Sequence, residues 1–271
     1  MKVHDLKAAE RVKLARSQDR PVVDEYAEAL FQELMLFSGD RCYGEDASVL
    51  GGVGLFHGRP VTVIGHRKGR DLEENLRFRF GMPDPEGYRK AERLMKQAAK
   101  FGRPVITLVD TPGAYPGKEA EERGQGQAIA SCIRTMSRLP VPLIAAFVGE
   151  GGSGGALAFA VSDRTIMLEN SIYSILSPEG FASILWHDGS RWEEASELMK
   201  LTAGELQELG ICDEVLAEPT FGSEAAKEYI FDALDRAIWR NLEPLLKRSG
   251  EDLVRKRYRE LGLLERRNGG N

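Results

Sequence analysis

Two stretches decide how this chain is read: VITLVDTPGAYPG (residues 105–117) and, one unit later, VPLIAAFVGEGGSGGALAFAV (141–161). In each, a short apolar run rich in β-branched side chains meets a cluster of glycine and proline, and a helical pattern follows. Two buried strands are expected, Val105–Val109 and Val141–Val148, each ending in a glycine-rich loop that leads into a helix. That order implies an α/β sheet with mostly parallel pairing, and in such sheets ligands sit at the carboxyl ends of the strands. Glycines there let backbone N–H groups approach a ligand closely, and a helix start adds the positive end of its dipole. Two such loops facing one another can form an oxyanion hole, with fixed donors where negative charge develops. The plainer alternative is that the glycines serve only tight turns and close helix packing.

Upstream, the first 20 residues are charged and read as a helical segment without a strong apolar stripe. From an N-cap at Asp24, Tyr26, Leu30, Leu34 and Phe37 recur at helical spacing, so a helix is expected to run until Gly39. Val49–Leu55 and Pro60–Ile64 flank His57-Gly58-Arg59 as two strands around a turn. Asp84-Pro85 is a helix-start signal, and that helix is expected to reach Phe101. Downstream, helices are expected at Glu121–Arg138, Ala156–Val161, Pro178–Trp186 and Thr202–Leu209, with strands at Thr165–Leu168, Ile172–Leu176 and Cys212–Leu216. The chain after Ser223 reads as helix, and Asn268–Asn271 as a frayed tail. No repeat or linker interrupts this pattern. The organisation expected is a charged segment (1–20), a main domain (21–222) and a C-terminal helical extension of it (223–271).

Composition narrows the function class. With 271 residues the chain can bury a sizeable core, and counting Gly among the apolar residues brings them to about half, the ordinary globular range. Thirty-seven basic against 42 acidic residues leave −5, which argues against nucleic acid or an anionic membrane as main partner. The longest apolar run, Val141–Val148, falls far short of the ~20 residues that span a bilayer, and the charged N-terminus lacks the apolar core of a signal peptide. Cys42, Cys132 and Cys212 are scattered and read as free thiols of a reducing compartment. A soluble, cytoplasmic α/β protein is expected.

Several chemistries fail on spacing. Gly151-Gly152-Ser153-Gly154-Gly155 fits G-x-S-x-G, the elbow that presents a nucleophilic serine, but the mechanism needs a histidine base. His187 lies close downstream of Ser153, and nothing ties His57 or His66 to it. The segment from Pro112 to Glu119 comes close to a phosphate-binding loop but is one residue short, and Glu119 stands where Ser or Thr would hold Mg²⁺. No His or Cys pair has metal-ligand spacing. Glu119, Glu121 and Glu122 read as a solvated helix start. The basic stretch of Arg67, Lys68, Arg70, Arg77 and Arg79 reads either as a solvated face or as a patch for an acidic ligand or partner.

The strings GHRKGR (65–70), FGMPDPEGYRKAERLM (80–95), DTPGAYPGKEAEERGQGQAIA (110–130), VGEGGSGGALAFAVSD (148–163) and SPEGFASILW (177–186) resemble the α subunit of the bacterial acetyl-CoA carboxylase carboxyltransferase. The resemblance covers roughly residues 20–260, in order and with family spacing. It implies a crotonase-like (ClpP/crotonase) spiral of ββα units with helical N- and C-terminal extensions. It also implies transfer of a carboxyl group from carboxybiotin, borne by a biotin carboxyl carrier protein, to acetyl-CoA, giving malonyl-CoA for fatty-acid synthesis. The expected setting is an ATP-binding acetyl-CoA carboxylase assembly with a carboxyltransferase β chain, biotin carboxylase and an α2β2 core. Zinc is expected in the β chain and no metal in this one.

By position, Gly154 and Gly155 are the expected oxyanion-hole amides. Gly151 and Gly152 shape the loop, and Gly113, Ala114 and Tyr115 line the facing turn that receives biotin or substrate. A Gly155→Val change is accordingly expected to cost activity while leaving folding nearly intact. In this chemistry the biotin left after loss of CO₂ is itself the base, so no catalytic His, Cys or acid is required. The chain departs from the family pattern at Lys118-Glu119, where small residues are commoner. It also has only a charged segment of 19 residues before Arg20, where many members carry several tens more. The alternatives are a stand-alone crotonase-fold hydrolase or CoA lyase using Ser153, and a non-catalytic assembly subunit.

Overall fold

The architecture is given by a computed structural model that describes residues 6–268. Helix α1 (Ala8–Ala15) and α2 (Val23–Leu30) lead into an antiparallel run of β1 (Gln32–Leu36), β2 (Val49–Phe56) and β3 (Arg59–His66). Next come α3 (Leu72–Arg77), α4 (Pro85–Phe101), β4 (Val105–Thr111), α5 (Lys118–Glu122), α6 (Gln125–Arg138), β5 (Leu143–Gly152) and α7 (Ser153–Leu157). The chain continues through β6 (Arg164–Leu168), β7 (Ile172–Ser174), α8 (Pro178–Trp186), α9 (Trp192–Leu198), α10 (Ala203–Glu208), β8 (Glu214–Leu216), α11 (Glu224–Leu245) and α12 (Gly250–Asn268). The strands join in the order β1-β2-β3-β4-β5-β6-β8, parallel from β3 onward.

Alternation along β4 and β5 sorts the core into two layers, because successive side chains point to opposite faces. Val105, Val109, Leu143 and Phe147 join α4 and α6 residues such as Leu94, Met95 and Met136 on one face. Ile106, Leu108, Ile144, Ala146 and Val148 join α2 and α11 residues such as Tyr26, Ile230 and Ile238 on the other. Both faces of these strands are covered, which is why they read as unbroken apolar runs.

Strand β5 changes partner midway. Residues 144–147 pair with β6, and residues 150–152 pair with β7. The Val148 carbonyl falls between the two ladders and accepts from Arg20 Nε and Nη2 at 3.1 and 2.7 Å. Arg20 is itself buried, and Nη2 also donates to Glu218 Oε1 at 2.6 Å. A charged residue just ahead of α2 thus satisfies the carbonyl that the turn of the sheet leaves unpaired.

Several boundaries differ from the sequence reading. The helix expected to reach Gly39 stops at Leu30, and Leu34 lies on edge strand β1. A Cβ at Gly52 on β2 would come within 2.6 Å of the Met35 carbonyl oxygen, so bare glycine opposite lets this segment seat as a strand. The helix expected from Glu121 is broken at Gly124, whose φ of +84° closes α5 and starts α6. The glycines expected as a loop after Val148 continue β5 as far as Gly152, and α7 begins at Ser153 rather than Ala156. The helices at 85–101 and 178–186 keep the boundaries that their Pro signals predict. Of the expected frayed tail, residues 269–271 lie outside the described residues. Among the described residues, no helix is long and apolar enough to cross a membrane.

Helix α12 is fastened through Arg257, whose side chain is 1 % exposed. It donates to Asp163 Oδ1 at 2.7 Å and to the carbonyls of Met136 and Val141 at 2.8 and 3.0 Å. Asp163 Oδ2 in turn accepts the Leu143 amide at the start of β5. Arg257→Met is therefore expected to lower unfolding free energy by about 3–5 kcal/mol, because it strands a buried carboxylate. Adding Asp163→Asn should recover part of that loss, as read from urea unfolding midpoints.

Candidate active site

The ends of β4 and β5 meet backbone to backbone. A Cβ on Gly152 would lie 2.0 Å from the Pro112 carbonyl oxygen, and one on Gly155 would lie 2.6 Å from the Ala114 nitrogen. Gly113, with φ of +145°, completes the turn on the opposite side, its amide donating to Thr111 Oγ1 at 3.0 Å. The two loops can touch only because neither presents a side chain there. The first-turn amides of α7 have no intrahelical acceptor, and among the described residues those of Gly154 and Gly155 meet no other backbone or side-chain acceptor. The Ala114 amide beside them is likewise unpaired. The sequence-predicted Gly113, Ala114, Gly152 and Gly155 are thus brought together, with Gly154 on the open side, where a Cβ would meet only Ile129 Cγ2 at 3.5 Å.

Gly155 is buried against main chain, not poised at an open loop junction. The expectation that Gly155→Val would leave folding nearly intact is therefore corrected: the new side chain would collide with the Gly113–Ala114 backbone. Gly151 and Gly152 belong to β5 rather than to a free loop. The Tyr115 amide donates to the Pro83 carbonyl at 3.0 Å, and the guanidinium of Arg79 lies 4.2 Å from its ring centroid.

Charged groups that sequence reasoning passed over stand behind the loops. Asp110, at the end of β4, accepts from Lys68 Nζ at 2.6 Å and from the Glu150 amide at 2.9 Å, both on Oδ1. The second bond bridges the point where the β4–β5 register shifts. A lone acid closing an apolar strand is a signal for such a role; nothing in the spacing reveals its partners. Four of the five basic residues in 67–79 are paired within the chain: Arg67 with Asp24, Lys68 with Asp110, Arg70 with Glu25 and Arg79 with Asp84. Arg77 lies over Phe78. The pairing spends four of these charges within the chain, while Arg70 and Arg79 remain 60 and 40 % exposed, so the stretch is a solvated face largely neutralised by its own acids.

Ser153 sits at φ +53°, as a nucleophile elbow would require, and its side chain points outward. Among the described residues no group hydrogen-bonds its hydroxyl. His57 binds Asp235 at 2.9 Å and stacks on Trp239, while exposed His187 ends α8. His66 is fully buried, stacked 4.4 Å from Phe159, with both ring nitrogens unpartnered. Burial, and after it the Lys68 charge, push its pKa down to about 3, while the neighbouring Gly155 backbone offsets little of the shift. A histidine held neutral and unconnected to Ser153 cannot serve as its base.

The arrangement is a parallel α/β core with two glycine turns packed together at the strand ends and unpaired amides beside their contact. The chain belongs to the acetyl co-enzyme A carboxylase carboxyltransferase-like family, whose pattern matches residues 2–264. It is 53 % identical over 249 residues to the acetyl-coenzyme A carboxylase carboxyl transferase subunit alpha of Clostridium acetobutylicum, covering 92 % of this chain and 91 % of that one. It is equally similar, at 53 % over 92 % of this chain, to 41 % of the subunits beta/alpha protein of Natranaerobius thermophilus.

Among solved structures it resembles a transcarboxylase 12S with methylmalonyl-coenzyme A bound (TM-score 0.69, 16 % identity, 90 % of this chain and 44 % of that one). It also resembles a Pseudomonas malonate decarboxylase hetero-tetramer in complex with coenzyme A (TM-score 0.65, 20 % identity, 83 % and 91 %). At these identities the likeness is one of fold, and the fold is the crotonase-like spiral that the motifs imply.

The packing separates the two neighbouring glycines. Gly155→Ala is expected to cost about 1–3 kcal/mol of stability as an overpacked contact, whereas Gly154→Ala should stay within about 1 kcal/mol of the parent; denaturant midpoints decide. His66 gives a pH signature. Its folded pKa lies below the unfolded 6.5, so the unfolded chain binds the extra proton between about 3 and 6.5. That contribution to stability is complete above 6.5 and is lost as pH falls toward 3. His66→Phe should therefore flatten the fall of the unfolding midpoint between pH 6.5 and 4.

Proposed function

We propose that this chain is the α subunit of an acetyl-CoA carboxylase carboxyltransferase, moving a carboxyl group between carrier-borne carboxybiotin and acetyl-CoA to form malonyl-CoA. The observation that carries the reading is the close contact of the two glycine turns, with the Gly154 and Gly155 amides left unpaired, in a chain of this family. Carboxybiotin, as substrate, supplies the carboxyl group and a ureido oxygen that becomes negative when CO₂ departs. Unpaired amides beside a turn without side chains fit such an oxygen. Gly154 and Gly155 donate to it, and Gly151 and Gly152 hold the strand end that aims them. Gly113, Ala114 and Tyr115 form the facing wall against which the ring is oriented. Fixed dipoles of this kind need no reorganisation as charge develops, which makes each worth a large factor in rate.

Half of a two-substrate site is supplied here, and the second oxyanion hole comes from a β subunit. The fused beta/alpha relative supports that partnership. So does an apolar cleft of about 850 Å³ beside α7, bordered by Leu157, Tyr173, Ile175, Phe181, Leu198 and Leu209. Ile175, at the rim of the cleft, is 85 % exposed, which leaves a large apolar side chain there available to a partner. The assembly expected is α2β2 in the cytoplasm, served by a biotin carboxyl carrier protein and biotin carboxylase, with zinc held by the β chain.

Two outcomes test the reading. Titrating a cognate β subunit into a fixed amount of this chain should raise biotin-dependent decarboxylation of malonyl-CoA from zero to a plateau near equimolarity. Full activity without β subunit, or none at any ratio, contradicts the half-site. Ser153→Ala in the complex should lose less than about tenfold in kcat, where a nucleophile would lose on the order of 10⁶. Fluorophosphonate labelling of Ser153 would favour a hydrolase.

A further inference from the structure

Arg16 follows the last residue of α1 and reaches two carboxylates on different elements. Its Nε and Nη2 donate to Glu150 Oε1 at 3.0 and 2.7 Å, and its Nη1 donates to Glu179 Oε1 at 2.6 Å. Glu150 immediately precedes Gly151 on β5, and its own amide is held by Asp110. Glu179 lies in the first turn of α8, just after β7, whose Ser174 is paired with Gly152. The two acids therefore belong to the segments that flank the glycine run on its β7 side.

The Glu150 side chain is 9 % exposed, and Arg16 and Glu179 are partly exposed. Burial works against the Arg16 charge, but hydrogen bonds and charge from Glu179 and Glu150 outweigh it and hold the guanidinium above its ordinary range. Without that cation, two carboxylates would face each other next to the glycine run. Helix α1 is itself anchored nearby, since Arg11 Nη1 donates to the Glu169 carbonyl and to Asn170 Oδ1, both at 2.8 Å. An arginine is suited to this task because its planar fork holds two carboxylates at once, which an ammonium does less rigidly.

We propose that Arg16 is a positioning residue for carboxyl transfer: by clasping Glu150 to Glu179 it fixes the end of β5 against α8, and with it the direction of the Gly154 and Gly155 amides. The inference rests on the carboxyltransferase reading, so it is tested by one measurement that needs no activity and one that does.

On the chain alone, Arg16→Gln should speed amide hydrogen exchange about tenfold or more in residues 150–155 and 178–182, while α4 and α6 keep their protection. In complex with a cognate β subunit, the same variant should lower kcat for biotin-dependent malonyl-CoA decarboxylation about 10- to 100-fold, with KM and the β-subunit titration midpoint within about threefold, because a misplaced donor costs rate rather than binding. Arg16→Lys should fall between parent and Arg16→Gln. Glu179→Gln weakens the same link from its other end, so it should shift exchange and kcat in the same direction as Arg16→Gln, and Arg16→Gln/Glu179→Gln should be no more than about threefold worse than Arg16→Gln. Unchanged exchange in 150–155, a kcat within threefold of parent, or losses from Arg16→Gln and Glu179→Gln that multiply in full in the double variant each overturns the clasp. A uniform rise in exchange across the chain overturns it too, by showing a general structural role. A parent complex without transfer would overturn the functional reading instead, and the exchange measurement would still judge the clasp.

Discussion

The arrangement depends on a contact between bare backbones: Gly152 and Gly155 lying against Pro112, Gly113 and Ala114. Any side chain at those places would hold the ends of β4 and β5 apart, and the amides of α7 would then face a different direction. The contact is sterically demanding and offers little attraction of its own, since it buries no large apolar side chain. Its stability comes from the layers on either side, where Leu94, Met136 and Phe147 pack on one face and Ile144, Val148 and Ile230 on the other. The core presses the strands together, and the glycines permit them to close.

Closing the strand ends leaves polar groups that must be satisfied, because a buried unpaired carbonyl or amide costs about as much as a lost hydrogen bond. The molecule meets that demand with charged side chains from distant parts of the chain. Arg20 takes the Val148 carbonyl where β5 changes partner, and Asp110 takes the Glu150 amide where the β4 register shifts. Arg257 takes the carbonyls of Met136 and Val141 ahead of β5. Each charge has an opposite neighbour: Glu218, Lys68 and Asp163 in turn. Such pairs add little net stability over apolar packing, yet removing one partner is costly, so they define where the segments must sit. The segments outside the parallel core are thereby part of its machinery, α1 and the residues after it on one side and α12 on the other.

Carboxyl transfer between two enolate-like species asks for stabilised oxygen charge more than for a side-chain base. Backbone amides suit this, since their position is set by the fold and no rotamer has to be held. The buried, neutral His66 and the unconnected Ser153 agree with a centre that works by dipole and position.

Much was legible in the sequence because it rests on local physics. Unbroken apolar runs marked β4 and β5, Asp84-Pro85 and Pro178 marked the starts of α4 and α8, and the density of glycine marked where the backbones would meet. The quoted motifs supplied the family, and with it a spiral that periodicity could not reveal. Other features were decided only in three dimensions. Leu34 and Phe37 have helical spacing but leave the helix because Gly52 offers a strand seat, and Gly149–Gly152 look like a loop but continue β5, residues 150–152 pairing with β7 and Gly151 with β4 as well. The basic run at 67–79 looks like a docking patch, yet most of it is consumed by acids that chain folding brings near. Arg16, Arg20 and Arg257 carry no local signal, because a charged side chain is assigned by the partner it meets, and those partners lie more than a hundred residues away for Arg16 and Arg20. Local sequence determines which backbone can bend or pair; which charges those bends require, and from where they come, is determined by the packing that brings the elements together.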